Sequence, residues 1–575
     1  VIISFDDHSR PSYEALSYTW GKPALSCTII VDGGSYSITQ SAHDVLVAVR
    51  SKDSARLIWI DSICINQSDK VEKTIQLQLM REVYSSATQV IAWLGHGEQT
   101  DAAVYLLLKR LRQLYNLNFE DYIEQHGEPI PPYPNGNWSL QPAFVLEYTW
   151  TNIDSLAWQG LRRLLQRPWF RRIWVYQEVV LAQKLVLKWG NFELDFQEVG
   201  PVIHWLMFGD SNQLLHHRSN PAERLDQSIK FGWMHLSRMH ETRFERVHEQ
   251  KALPFEDHLC EPCSWEASDP RDFVYGVLGM IAERDAPELV PDYTKDVSHV
   301  FTEATKMIIT RNKSLRPLII AGDSGPREGM PHLMSWVPNY AAFRREFSVG
   351  TMHEAHLEAI GKAEFSVSFS AGNGLVARGI ILGSVTAIGP PNTETGRQTT
   401  WQTRNLALGD WVDKSLAAVK PKATDMLWRT LACNDPELLG NYHQLGYDAW
   451  FHSVQVQRKS KLSRTYWKSM KHLTTNIGQD WMVQAARYAE VVSVKTVGKL
   501  MATVMTSPGV NGGGGEKLTI VPAQCQVGDV VCILFGLSVP IVLRPEQSGR
   551  AGKTLYTVVG GCYVDGLMLE DWRSQ

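Results

Sequence analysis

Asp61, Asn66, Gln67 and Asp69 crowd into one short stretch that directly follows the apolar run LIWID (57–61). Carboxylates and side-chain amides are the groups that accept and donate the hydrogen bonds orienting a bound ligand. LIWID has the make-up of a strand buried on both faces. The polar residues then fall at its carboxyl end, where open α/β sheets hold their ligands. A second pair able to do chemistry is Trp174 and Glu178, spaced i and i+4 so that both lie on one face of a predicted helix. Each of these residues also has a plainer role open to it. Asp61 can cap the loop, Asn66 and Gln67 can brace a turn, Glu178 can pair with Arg171 or Arg172, and Trp20 and Trp174 can fill core. Cys64 beside the loop has no base next to it in sequence and reads as a buried small apolar residue.

The elements that position these groups are legible in the pattern. YEALSYTW (13–20) predicts a first strand ending near Gly21, and CTIIVDGGSYSIT (27–39) predicts a hairpin turning at Asp32-Gly33-Gly34. Ser41 is placed to cap the helix that follows. After the polar loop, Val71, Ile75, Leu79, Val83 and Ala87 recur every four residues, the stripe of one helix laid on a sheet. TQVIAWLG (88–95) closes a βαβ unit. RPWFRRIWVYQEVVLA (167–182) predicts a helix with Pro168 in its first turn. KLVLKWGNFELDF (184–196) reads as strand, turn, strand. DPRDFVYGVLGM (269–280) starts a helix with Asp269 as cap and Pro270 just inside, and Arg271 and Asp272 there lock that start onto the N-terminal region.

At 575 residues the chain is too long for one ordinary core. Its boundaries are read as an α/β domain over 1–195 with an insertion at 96–165, a mostly helical extension over 196–310, a mixed α/β region over 311–497, and a β domain over 498–575 that is barrel-like. An apolar share of 44% and a charged share of 21% are those of a globular protein. Lys and Arg total 57 against 61 Asp and Glu, a net charge of −4 that argues against nucleic acid as a partner. No apolar run reaches the roughly 18–20 residues of a membrane span. Eight scattered Cys without a scaffold rhythm, and no signal peptide at the start, predict a reducing, cytoplasmic setting.

Three tempting motifs fail. Cys260 and Cys263 with His258 make half a zinc site without a second half, so no metal is expected. SGRAGKT (548–554) ends like a phosphate loop, but residue 547 is Gln where the first Gly is needed. GVNGGGG (509–515) precedes no helix and reads as a hairpin tip.

Five blocks occur in order: YEALSYTWG, LIWIDSICINQSDKVEK, QLMREVYSSATQVIAWLG, RPWFRRIWVYQE and DPRDFVYGVLG. Together they resemble the fungal heterokaryon incompatibility (HET) domain, and the C-terminal run CQVGDVVCILFGLSVPIVLR…YTVVGGCYVDGLMLED is similar to the tail of long HET-domain proteins. That resemblance implies a filamentous fungus, non-self recognition ending in programmed cell death, and an incompatibility partner protein. It names no reaction.

A more distant resemblance is to the TIR domain, on the order strand–Asp–polar loop–helix–strand followed by a W-x-x-x-E helix. The seventy-residue separation and Val175 in place of a Cys depart from that pattern. The resemblance implies a TIR-like, mostly parallel α/β sheet with helical elaborations. It also implies Glu178 as the catalytic carboxylate for cleaving the nicotinamide–ribose bond of NAD⁺, as substrate and with no cofactor. Such a bond breaks through an oxocarbenium-like centre that a carboxylate stabilises. Tyr18, Trp20 and Trp174 would then wall the pocket, with Asp61, Asn66 and Gln67 holding ribose or phosphate oxygens. Two rivals stay open: a non-catalytic module that signals by self-association, and a HET-type fold recruited to a biosynthetic reaction.

Overall fold

The computed structural model describes residues 4–5, 10–126, 156–208, 227–248, 250–260, 265–281, 289–323, 327, 329–342, 365–393, 401–422, 427–433, 443–459, 481–507, 514–546 and 554–565. The Pro- and Tyr-rich loop near 130–150, Cys263, and most of the 509–515 and 548–554 segments lie outside them. The chain divides into two compact units, Val1–Leu259 with Cys263–Asp296, and Val297–Gln575 with Cys260–Pro262.

The first unit is built on a five-stranded sheet with the order β4-β1-β5-β6-β7. Its strands are β1 (Glu14–Tyr18), β4 (Ile58–Trp59), β5 (Gln89–Gly95), β6 (Leu185–Trp189) and β7 (Phe192–Asp195). The first four run parallel and β7 pairs antiparallel to β6, so the mostly parallel expectation fits. Counted along the chain the order is 2-1-3-4-5, a doubly wound sheet whose switch point falls between β1 and β5. Two details differ from the sequence reading. LIWID contributes only a half-buried edge strand of two residues, because Asp61 already begins the helical turn α2 (Asp61–Cys64). The two strands of the βαβ unit are also not neighbours, since β1 lies between them and pairs with both.

The predicted helix after the loop is two helices, α3 (Lys70–Gln78) and α4 (Met80–Ser86). Asp69 caps the first, its Oδ1 accepting from the amides of Val71 and Glu72 at 2.8 and 3.1 Å. At Leu79 the amide bonds back to Gln76 and Leu77, which interrupts the helix. The four-residue stripe therefore splits. Val83 and Ala87 are buried, whereas Val71 and Ile75 are 71% and 52% exposed.

The β2 (Cys27–Val31) and β3 (Gly34–Ile38) hairpin turns through Asp32 and Gly33, both at positive φ (48° and 81°). That is the two-residue geometry for which Asp-Gly is suited. The cap of α1 (Gln40–Val49) is Thr39 and not Ser41, with Thr39 Oγ1 accepting from the Ala42 amide at 3.2 Å. Ala42, Val45 and Val49 of α1 then pack on Leu16, Tyr18, Ile91 and Trp93, which alternate onto one face of β1 and β5. Each fully buried large side chain there contributes about 1.5–3 kcal/mol.

The opposite face carries the helix Ile173–Leu181, apolar almost all round because the sheet, α4 and the helix Gln227–His248 enclose it. Pro168 does not open this helix. It opens a separate 3₁₀ turn, Pro168–Arg171, and the chain extends at Arg172 (φ −73°, ψ 130°) before the helix starts. There it bridges to Glu266, whose amide donates to Arg171 O at 2.6 Å. At the far end the buried Arg243 guanidinium donates to the carbonyls of Val179, Ala182 and Gln183, closing the helix's last turn. Charged hydrogen bonds of this kind contribute about 1.5–3 kcal/mol each. Arg243→Ala is therefore expected to lower the unfolding free energy by at least about 3 kcal/mol, measured by urea titration. A loss under about 1 kcal/mol would mean that water replaces the guanidinium there.

In the second unit a curled, half-barrel antiparallel sheet has the order β15-β14-β13-β10-β11-β12-β16. Its strands are β10 (Gly379–Pro391), β11 (Lys499–Thr506), β12 (Glu516–Pro522), β13 (Val530–Leu534), β14 (Ile541–Glu546), β15 (Leu555–Gly561) and β16 (Tyr563–Val564). A small separate hairpin, β8 (Val367–Phe369) with β9 (Leu375–Ala377), precedes it. The central strand β10 thus comes from well before residue 498. Bulges at Val385/Ala387 and Ile381/Gly383 bend it, and Leu382, Val385, Ala502, Val504 and Val531 fill the concave core.

Candidate active site at the carboxyl edge of the parallel sheet

The site assembles where β1 ends. Tyr18, its last residue, pairs in register with Trp93 of β5, so the switch point closes at these two side chains. Tyr18 points to the α1 face and its hydroxyl donates to Ser62 Oγ at 2.6 Å. Ser17 points to the opposite face, where its Oγ accepts from the Trp169 indole at 2.8 Å. Trp20, beyond the strand, donates from Nε1 to Asp61 Oδ2 at 2.8 Å, and the Ser62 amide donates to Asp61 Oδ1 at 2.7 Å. The helical turn that shortened β4 thus aims the Asp61 carboxyl back at β1.

Glu178 comes to this cluster from the Ile173–Leu181 helix and is 3% exposed. Burial pushes its carboxyl up to about 7. Arg172 and the hydroxyls of Ser17 and Tyr84 pull it down, and the charge of Asp61 pushes it further up. Its Oε2 is buried without a hydrogen-bond partner. Asp61 is likewise raised, first by burial, against the pull of Arg172 and the Trp20 indole. Arg172 therefore serves both carboxyls, and its guanidinium also donates to Tyr18 O. The extended backbone at Arg172 is what sends this side chain to the sheet end and not along the helix. Arg171, the other candidate partner of Glu178, pairs with Glu266 at 3.0 Å. Tyr84 of α4 donates to Leu16 O at 3.2 Å, and its own hydroxyl is pushed well above the usual range by burial and then by Glu178 and Asp61.

Of the residues expected from sequence, Tyr18, Trp20, Asp61 and Glu178 come together. The two amides work within the loop. Asn66 is exposed, its Oδ1 accepting from the amide and hydroxyl of Ser68 at 3.2 and 2.7 Å. Gln67 donates to the Asp61 carbonyl at 3.1 Å, bracing the turn that carries Asp61. Trp174 is half-buried and donates to the Asp272 carboxyl, which also accepts from the Tyr293 hydroxyl. It joins the helix to the 269–280 block, where Gln177 Oε1 accepts from the Gly279 amide at 3.0 Å. Arg271 donates to Asp269 and to the carbonyls of Tyr293 and Lys295, so it braces its own block, and of the expected pair it is Asp272, through Trp174, that ties the block to the N-terminal region. Cys64 is exposed, contrary to the expectation of burial, because α2 is a single turn with its C-terminal end at the surface. His258 is consumed in the core, bonded through Nδ1 to the Tyr176 hydroxyl at 3.1 Å. Among the described residues no group of three or more His, Cys, Asp or Glu is arranged to hold a metal ion.

Sequence reasoning did not single out Ser17, Ser62 or Tyr84, and treated Arg172 only as an ion-pair partner. Ser17 left one signal, a small polar residue between Leu16 and Tyr18 in a strand that is otherwise built of larger side chains toward its end. A doubly wound sheet with one buried and one half-buried carboxyl and a guanidinium at its switch point has the build of an α/β enzyme or ligand-binding protein.

Comparison with known proteins narrows this class. Residues 13–178 match the family model described as "Heterokaryon incompatibility protein (HET)", a span that begins at β1 and ends on Glu178. Over 97% of its length the chain is 25% identical to "Heterokaryon incompatibility protein 6, OR allele" of Neurospora crassa, covering 89% of that protein. The resemblance read from the five blocks is thereby supported, whereas none of these matches supports the likeness to TIR domains. No solved structure matches. Among the described residues no helix is long and apolar enough to cross a membrane.

Proposed function

We propose that the chain acts in fungal non-self recognition leading to cell death, and that the Asp61–Arg172–Glu178 cluster is an NAD⁺-cleaving site. The observation supporting an enzymatic role is Glu178 itself, a buried carboxyl poised near neutrality with one oxygen unpartnered at the sheet's carboxyl edge. Structural ion pairs normally satisfy both oxygens, and an acid held near pH 7 is suited to chemistry at that pH. In this reading Glu178, once ionised, stabilises the positive charge that grows on ribose as nicotinamide leaves. Nicotinamide is already cationic in NAD⁺ and departs as the neutral amide without a proton, after which water adds to ribose C1 and gives up a proton to solvent, leaving ADP-ribose. Arg172 keeps the charged form of Glu178 accessible and Asp61 faces the ribose hydroxyls.

Incubating the purified chain with NAD⁺ is expected to release nicotinamide and ADP-ribose in equal amounts, read by liquid chromatography. Glu178→Gln is expected to lower the rate by about 10²-fold or more. Full activity in that variant would remove Glu178 from the mechanism.

A second reading is favoured by the 3% exposure of Glu178. There the cluster is a buried clamp joining β1 to its helix, and cell death follows from self-association or recruitment of a partner protein. Under that reading a folded Glu178→Gln variant kills incompatible cells as well as the parent does.

A further inference from the structure

The face of the sheet turned away from Glu178 carries a second concave site. A cleft of about 540 Å³ opens at the carboxyl ends of β5 and β6, between α1 and the β6–β7 turn. On one wall His96 Nε2 meets Asp44 Oδ2 at 2.9 Å, and Asp44 Oδ1 accepts from Gln40 at 2.7 Å. His96 is 74% exposed, so the imidazole is oriented by the carboxylate and open on its other side. The floor is backbone and carboxylate. Gly190 (φ +51°) packs so closely that a Cβ there would stand 2.7 Å from Gly97 Cα, and Asp101 Oδ2 lies 3.1 Å from the same point. Asp101 is held in place by the Glu98 amide at 2.8 Å. The far wall is apolar, formed by Phe192 with Val47 of α1 opposite.

Charge decides what such a cleft admits. Its carboxylates among the described residues are Asp44, Glu98 and Asp101; of the basic side chains lining it, Lys188 is engaged by Glu193, and His43 and His96 lie against Asp44. Glu98 is neutralised by Arg163 and Arg167 outside the floor, which leaves Asp44 and Asp101 facing inward. Two inward carboxylates repel phosphate but make strong acceptors for neutral hydroxyls. Paired acceptors beside an apolar wall are the groups that hold the vicinal diol and the ring face of a ribose or hexose. The volume is within the range of small-molecule sites.

We propose that this cleft binds an uncharged ring carrying vicinal hydroxyls, a nucleoside or a simple sugar, with Asp44 and His96 as its hydroxyl partners. The site is separate from the Glu178 cluster, and binding is measured directly, so its failure and that of NAD⁺ cleavage are distinguishable.

The test titrates the full chain, by calorimetry and saturation-transfer NMR, with adenosine, ribose, glucose and adenosine 5′-monophosphate. Saturation by adenosine alone identifies a nucleoside site, and saturation by ribose or glucose identifies a sugar site. Adenosine 5′-monophosphate is expected to bind at least about tenfold more weakly than adenosine. Asp44→Asn should weaken binding by about tenfold or more. Val47→Trp, which fills the cleft from an exposed position and removes no polar contact, should do the same even where Asp44→Asn perturbs folding. The proposal is overturned if none of the four ligands saturates by about 10 mM, if the phosphorylated ligand binds as well as adenosine, or if Val47→Trp binds unchanged.

Discussion

Replacing Glu178 by glutamine is expected to stabilise the protein at pH 8 and to leave its stability near pH 4 almost unchanged. The ordinary value for a Glu carboxyl is 4.5, and burial raises this one to about 7. Between those values the folded chain holds a proton that the unfolded chain has released. Stability of the parent therefore falls as pH rises from about 4.5 to about 7 and is level above that. The total is on the order of 3 kcal/mol. Glutamine resembles the protonated carboxyl and does not titrate, so the variant lacks this decline. Asp61 is also raised and keeps a slope of the same sign in both proteins. Urea unfolding at pH 4, 6 and 8 reads the difference directly. Equal slopes in parent and variant would show that Glu178 is solvated or fully paired. A variant that is more stable and also inactive against NAD⁺ would mark Glu178 as a residue kept for chemistry at a cost in stability.

Arg172→Met should have the opposite sign. The guanidinium lowers both carboxyls and donates to Tyr18 O, so its loss leaves Asp61 and Glu178 without a nearby cation. Breaking such an arrangement from one side costs about 3–5 kcal/mol. The loss is expected to be largest at pH 8 and smaller at pH 5, where Glu178 is mostly protonated. Adding Glu178→Gln removes one of the stranded charges, so the double variant should recover part of the loss at pH 8. A double-mutant cycle measures this coupling, expected to exceed about 1 kcal/mol. A coupling near zero would separate Arg172 from Glu178 and dismantle the cluster on which the enzymatic reading rests.

Parts of this site were legible without coordinates because they follow from local pattern. The polar run after 57–61 marks a strand end, and Trp20 and Asp61 flank the ends of two predicted strands. Other parts were misread for equally local reasons. Val71 and Ile75 continue the stripe of Val83 and Ala87, but a four-residue spacing cannot reveal that the helix is interrupted at Leu79. Trp174 and Glu178 share a helical spacing, yet in a helix enclosed on all sides both faces meet protein. The indole finds Asp272 nearly a hundred residues onward, and the carboxyl finds Ser17 and Tyr84.

From the sequence alone came the elements of the first sheet, the Asp32-Gly33 turn, the polar loop at a strand's end and Glu178 as a residue able to do chemistry. These depend on backbone dihedrals and on the two- and 3.6-residue periods of side chains, which neighbours in the chain dictate. Tertiary structure alone inserted β1 between β4 and β5, turned Arg172 toward two carboxyls, and brought Asp44 to His96 across a cleft. It also set the dielectric around Glu178. Strand neighbours and carboxyl pKa values are properties of contacts between distant segments, and no local pattern encodes how water is excluded where those segments meet.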